Sequence, residues 1–99
     1  MNYRSRTEIV AMILETANGG ATKTKIMYSA MLSYNQLKNY LSVLIENTLI
    51  GYFEGAKTFK TTEKGLNLLK IHNEMADWYI LLPKMIRYFT PTSFLYVTG

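Results

Sequence analysis

The sequence predicts a mainly α-helical domain with a small β-hairpin, followed by a long C-terminal helix, and three observations carry that prediction. Apolar residues recur at helical spacing in three separate stretches before residue 48. Between Leu49 and Thr61 the pattern changes to β-branched and aromatic residues that alternate with polar ones. Helical spacing then resumes at Leu68 and runs to Phe89. A chain of 99 residues has room for one hydrophobic core, and 48% hydrophobic with 18% charged residues is a globular composition.

The first helix starts at a capping box, in which the Ser5 hydroxyl accepts from the Glu8 backbone N–H and the Glu8 carboxylate reaches back. Ile9, Val10, Ile13, Leu14 and Ala17 form its apolar stripe, and Asn18-Gly19-Gly20 ends it. A second, two-turn helix is capped by Thr22 or Thr24 and carries Ile26, Met27 and Ala30 inward. After a tight connection from Ala30 to Ser33, Ser33 and Gln36 form another capping box. Leu37, Tyr40, Leu41, Leu44 and Ile45 behind it give the third helix one continuous apolar face up to Asn47.

Leu49–Phe53 and Thr58–Thr61 around Gly55-Ala56-Lys57 read as a hairpin. Thr62 caps the fourth helix, with Glu63 in the first turn in spite of the weak helix former Gly65. Leu68, Ile71, Met75, Trp78, Leu82, Met85 and Phe89 alternate spacings of three and four, the a/d register of a coiled coil, and are expected to form a dimer interface. Leu66 and Leu69 point to another face, expected to pack on the first sixty residues. Pro83 requires this helix to kink, or to stop and restart. The expected organisation is therefore a core over 1–61, a dimerisation helix over 62–89 and an extended tail over 90–99.

Few kinds of chemistry are open to these residues. The chain has no cysteine, which excludes disulfides, thiolate metal sites and cysteine nucleophiles. Its one histidine, His72, has no second ligand one turn away and reads as a solvated surface residue. Seven scattered acids form no evident acid–base pair, and no Gly-rich phosphate loop is present. No enzyme activity, cofactor or metal is expected. A polar N-terminus and short apolar runs argue against secretion and membrane insertion, so a cytoplasmic, nucleoid-associated location is expected.

Helix, short helix, turn, capped helix, hairpin, helix is the connectivity of a winged helix-turn-helix. The third helix would then offer its outer face and N-terminus to a DNA major groove through Ser33, Tyr34, Asn35, Gln36, Lys38, Asn39 and Ser42. Asn and Gln pair with adenine, Lys reaches guanine or phosphate, and helix N-terminal amides favour phosphate. Arg4 and Arg6, Lys23 and Lys25, and Lys57 and Lys60 would supply phosphate contacts from the flanking segments. A net charge of +4 suits a polyanionic partner. Against this stands the plain alternative that polar helix faces and single lysines are ordinary solvation.

The run Gly19-Gly20-Ala21, then Thr24-Lys25-Ile26-Met27-Tyr28, Leu32-Ser33-Tyr34, Gln36-Leu37, Tyr40-Leu41, Leu44, Leu49-Ile50 and Thr62-Glu63-Lys64-Gly65 resembles archaeal winged-helix proteins of ten-kilodalton size. That family includes abundant chromatin-type DNA-binding proteins. The resemblance covers residues 5 to 75 and is most specific from Thr24 to Leu44. It implies a DNA-binding winged helix followed by a long helix that pairs antiparallel with a second protomer. Pro83 and the aromatic tail from Phe89 to Tyr96 depart from the pattern. The expected function is homodimeric binding of double-stranded DNA, as a gene regulator or a chromatin protein. The rival reading is a winged-helix protein-interaction module without DNA binding, and a second rival is a ligand-sensing regulator.

Overall fold

The computed structural model describes residues 4–88, with side chains described for residues 4–75. In chain order it contains α1 (Arg6–Thr16), α2 (Lys23–Ser29), α3 (Tyr34–Glu46), β1 (Ile50–Phe53), β2 (Thr58–Thr61) and α4 (Glu63–Tyr88). The strands pair antiparallel, with Ile50 opposite Thr61 and Tyr52 opposite Phe59. This is a winged helix fold: three helices, a hairpin wing and a long helix.

Local chemistry sets the helix starts. Ser5 accepts from the Glu8 N–H, and of the two threonines proposed for α2 it is Thr22 that caps, accepting from Lys25 N–H at 3.2 Å. Ser33 and Gln36 make the full reciprocal capping box at 3.0 and 3.2 Å. The helix ends are less ordinary. Both α2 and α3 close with paired Schellman bonds, Leu32 N–H to the Met27 carbonyl and Leu49 N–H to the Leu44 carbonyl. The residues turned left-handed there are Met31 (φ 52°) and Thr48 (φ 58°), where glycine is usual.

The core is built from Ile13, Leu14 and Ala17 of the first helical segment, Ile26 and Ala30 of the second, Leu37, Leu41 and Leu44 of α3, and Ile50, Phe59 and Leu69. Ala21 forms a single bridge to Phe59 with two backbone bonds of 2.8 Å, a third edge to the wing that the sequence pattern did not announce. The Thr61 hydroxyl, buried, donates to the Leu14 carbonyl at 2.6 Å and ties β2 to α1. Every buried side-chain polar atom among the described residues has a partner.

Gly65 explains how α4 leaves the wing. A Cβ at this position would collide with the Leu49 carbonyl oxygen and come within 2.7 Å of Thr61 Cγ2, so only glycine permits this approach of helix to chain. Around it, Thr62 Oγ1 accepts from Gly65 N–H and donates to the Thr48 carbonyl, while Lys64 Nζ donates to the Asn47 carbonyl. The expected helix breaker is thus what seats α4 against the end of α3.

Three expectations about facing change. Leu66 is exposed and only Leu69 of that pair is buried, because α4 meets the core along Gly65 and Leu69 and Leu66 is turned about 100° from Gly65. Ile45, expected on the inner face of α3, is 41% exposed, since it lies about 100° beyond Leu44, toward the wing. His72 is half-buried rather than solvated, lining a groove between α1 and α4 with Leu14, Leu68 and Leu69. Pro83 lies within the span of α4, so the helix does not stop there. The tail over 90–99 and Phe89 lie outside the described residues, as do the side chains of Trp78, Leu82 and Met85.

Candidate nucleic-acid interface

The outer face of α3 follows from its inner one. With Leu37, Leu41 and Leu44 fixed in the core, a step of about 100° per residue carries Asn35, Lys38, Asn39, Ser42 and Glu46 to the opposite side. All five are exposed, as are Ser33, Tyr34 and Gln36 at the helix start. Their side chains are in different states. Gln36 and Ser33 are engaged in the capping box, and the Ser42 hydroxyl donates to the Lys38 carbonyl at 2.9 Å. Asn35, Lys38 and Asn39 make no side-chain hydrogen bond with other described residues, so these three have donors and acceptors to give a ligand.

Cations stand on both flanks. On the α1 side, Arg6 is exposed and shares a groove with Gln36, Asn39, Tyr40 and Val43. On the wing side, Lys23 and Lys57 line a cleft of about 550 Å³ together with Thr22, Thr24, Ile45, Tyr52 and Phe59. Lys23 is held there: its ammonium lies 4.5 Å from the Tyr34 ring centroid and donates to the Tyr34 hydroxyl at 3.3 Å. Lys57 closes the hairpin turn in a left-handed conformation, φ 51°. Lys25 is exposed on α2.

Two expected cations are placed elsewhere. Strand alternation puts Lys60 with Gly51 and Phe53 on the hairpin face opposite Ile50, Tyr52, Phe59 and Thr61, turned away from the cleft. Arg4 folds back, with Nη1 3.2 Å from Met12 Sδ and Nη2 donating to the Met31 carbonyl at 3.2 Å. Sequence reasoning missed Ile45, Tyr52, Thr22 and Thr24 as cleft residues, and an exposed aromatic on a short strand was the one signal available. It also passed over Glu46, an acid at the C-terminal end of the polar face.

The arrangement now has a helix presenting amides and one ammonium, a basic residue on each side, and a hairpin beside it. A winged helix-turn-helix family model matches residues 3–79. The chain belongs to the winged helix-turn-helix family. Comparison with curated proteins gave no match. Among solved structures, the fold is similar to Sso10a-2, a DNA-binding protein from Sulfolobus solfataricus, with a TM-score of 0.73 and 22% identity over 86% of this chain and 92% of that one. For this winged helix protein the likeness is one of fold. Among the described residues there is no group of three or more possible metal ligands, and no helix is long and apolar enough to cross a membrane.

Proposed function

We propose that this winged helix protein binds double-stranded DNA without catalysis, as a homodimer paired through α4, in gene regulation or chromatin organisation. The observation that carries the reading is the outer face of α3. Asn35, Lys38 and Asn39 have no competing side-chain partner among the described residues, and Arg6 and the Lys23–Lys57 rim stand where the backbones beside a major groove would pass. The fold likeness to a protein described as DNA-binding supports it. With about five phosphate contacts per protomer, log affinity falls with log salt at a slope of about −4 to −5 for each winged domain engaged, and about −9 for a dimer that engages both. Duplex mobility shifts at two salt concentrations test this. A retarded band that disappears steeply with salt is expected, and no retardation even at low salt would instead favour a protein-docking module.

Dimerisation rests on a strip of α4 beside its core contact. Leu68, Ile71 and Met75 are exposed and continue in register toward Trp78, Leu82, Met85 and Phe89. Each large apolar side chain left in water forgoes about 1.5–3 kcal/mol, which a second copy of the helix recovers. Antiparallel pairing over about twenty residues separates the two winged domains by roughly 30 Å, close to one turn of DNA. The native protein is expected to sediment as a dimer at micromolar concentration, and Trp78→Asp as a monomer with weakened DNA binding. A native monomer would remove the dimer.

A further inference from the structure

We propose that the cleft between α3 and the wing is a second nucleic-acid site, one that takes an unpaired base by stacking it on Tyr52. The floor of this cleft is apolar: Tyr52 lies against Phe59 with ring centroids 4.7 Å apart and planes tilted by 47°, and Ile45 closes the side nearest α3. The rim is cationic, with Lys23 on one wall and Lys57 at the hairpin turn, and Thr22 and Thr24 add hydroxyls between them. Phe59 is buried, yet Tyr52 remains 47% exposed, so one of its surfaces packs on the wing and the rest is open to the cleft.

A duplex with its stack intact offers this ring no base face. In such DNA the faces are covered by their neighbours, and a protein meets base edges, sugars and phosphates unless a step is unstacked at a cost of about a few kcal/mol. An open aromatic ring in a cleft lined by two lysines fits a single strand instead, whose bases offer their faces while its phosphates track the cations. Both Lys57 and Tyr52 are positioned by structure around them. The left-handed turn at Lys57, with its N–H donating to the Glu54 carbonyl at 3.2 Å, fixes where that side chain leaves the hairpin, and Phe59 holds the Tyr52 ring. The bond and cation–π contact to Tyr34 hold Lys23 on the opposite wall. The ligand is therefore a short run of unpaired nucleotide, with one base on Tyr52 and flanking phosphates on Lys23 and Lys57. It shares the Lys23 and Lys57 rim with the proposed duplex path, but its stacking ring, Tyr52, lies outside the Asn35–Asn39 face.

The test compares fluorescence anisotropy of labelled oligo(dT), oligo(rU) and a short duplex, each with native protein, Tyr52→Phe, Tyr52→Leu and Asn39→Ala. Native protein and Tyr52→Phe are expected to bind a pyrimidine strand alike, with Tyr52→Leu about tenfold or more weaker. Duplex affinity is expected to be the same in all three, and Asn39→Ala to lose duplex but not single strand. Preference for dT over rU identifies the strand as DNA, and the reverse as RNA. Photocrosslinking of native protein to a 5-iodouracil strand, expected at Tyr52, gives the answer independently of how the leucine variant folds. Equal strand binding by native protein and Tyr52→Leu, or crosslinks confined to other residues, would overturn the proposal. Native protein that binds the single strand but not the duplex would overturn the α3 reading and leave this one standing.

Discussion

The outer face of α3 and the wing cleft lie side by side and are built in opposite ways. The α3 face is made by one continuous segment, is mainly polar, and consists of side chains standing on a helix whose start is locked by the Ser33–Gln36 box. The cleft is assembled from α2, the end of α3 and both strands, has an aromatic floor, and owes its shape to a left-handed turn at Lys57. A helix face of this kind can enter a groove and test base edges, whereas a cleft of this kind can hold a backbone and a ring. The difference teaches that reading and gripping are separable here, because they depend on different residues and different supports.

The largest effect expected from breaking this comparison comes on the α3 side. Base-edge contacts are worth about 1–3 kcal/mol each, so Asn35→Ala, Lys38→Ala and Asn39→Ala together should weaken specific duplex binding by about a hundredfold or more in mobility-shift titrations. Unchanged affinity would remove α3 as the reader. Next is the support of the wing. Gly65→Ala must push the Leu49 carbonyl and Thr61 away, and overpacking of this kind costs about 1–3 kcal/mol. Thermal unfolding followed by circular dichroism should show a midpoint lowered by about 10 °C, and an unchanged midpoint would mean that the junction relaxes freely.

A third test separates the two wing lysines, which the sequence treats alike. Lys57→Ala should reduce the slope of log affinity against log salt by about one, while Lys60→Ala, on the other hairpin face, should leave it unchanged. Equal effects would place both sides of the hairpin against DNA. The smallest effect concerns Glu46, whose charge sits on the polar face of α3. Glu46→Gln should raise duplex affinity by about threefold at low ionic strength and hardly at all at high salt, as screening predicts. A decrease would show instead that Glu46 accepts a hydrogen bond from the ligand.

What the sequence revealed tracks how local each feature is. Helix starts are set within four residues, so the cap at Ser5, the box at Ser33 and the stripe of α3 were readable, as was the change of period at the hairpin, whereas the return bond expected from Glu8 to Ser5 does not form. Long-range features were not. The Ala21–Phe59 bridge joins single residues far apart in the chain, and the cleft collects Thr22, Ile45 and Tyr52 from three elements. The ends of α2 and α3 were readable at Ala30 to Ser33 and at Asn47, but the left-handed residues that close them, Met31 and Thr48, were not, because neither is glycine. Gly65 was visible as a weak helix former, but its reason lies in a carbonyl sixteen residues earlier, at Leu49. Lys57 and Lys60 could be told apart only once the strand register was fixed.

The most direct test of the central claim, that α3 is the DNA-reading element, is a titration of the ¹⁵N-labelled protein with a short duplex, followed by amide and side-chain chemical shifts. The largest changes are expected at the backbone amides of Asn35 to Ser42 and at the side-chain amides of Asn35 and Asn39, with a second group at Arg6, Lys23 and Lys57. Changes concentrated on Leu66 to Met75 of α4, with α3 silent, would contradict it.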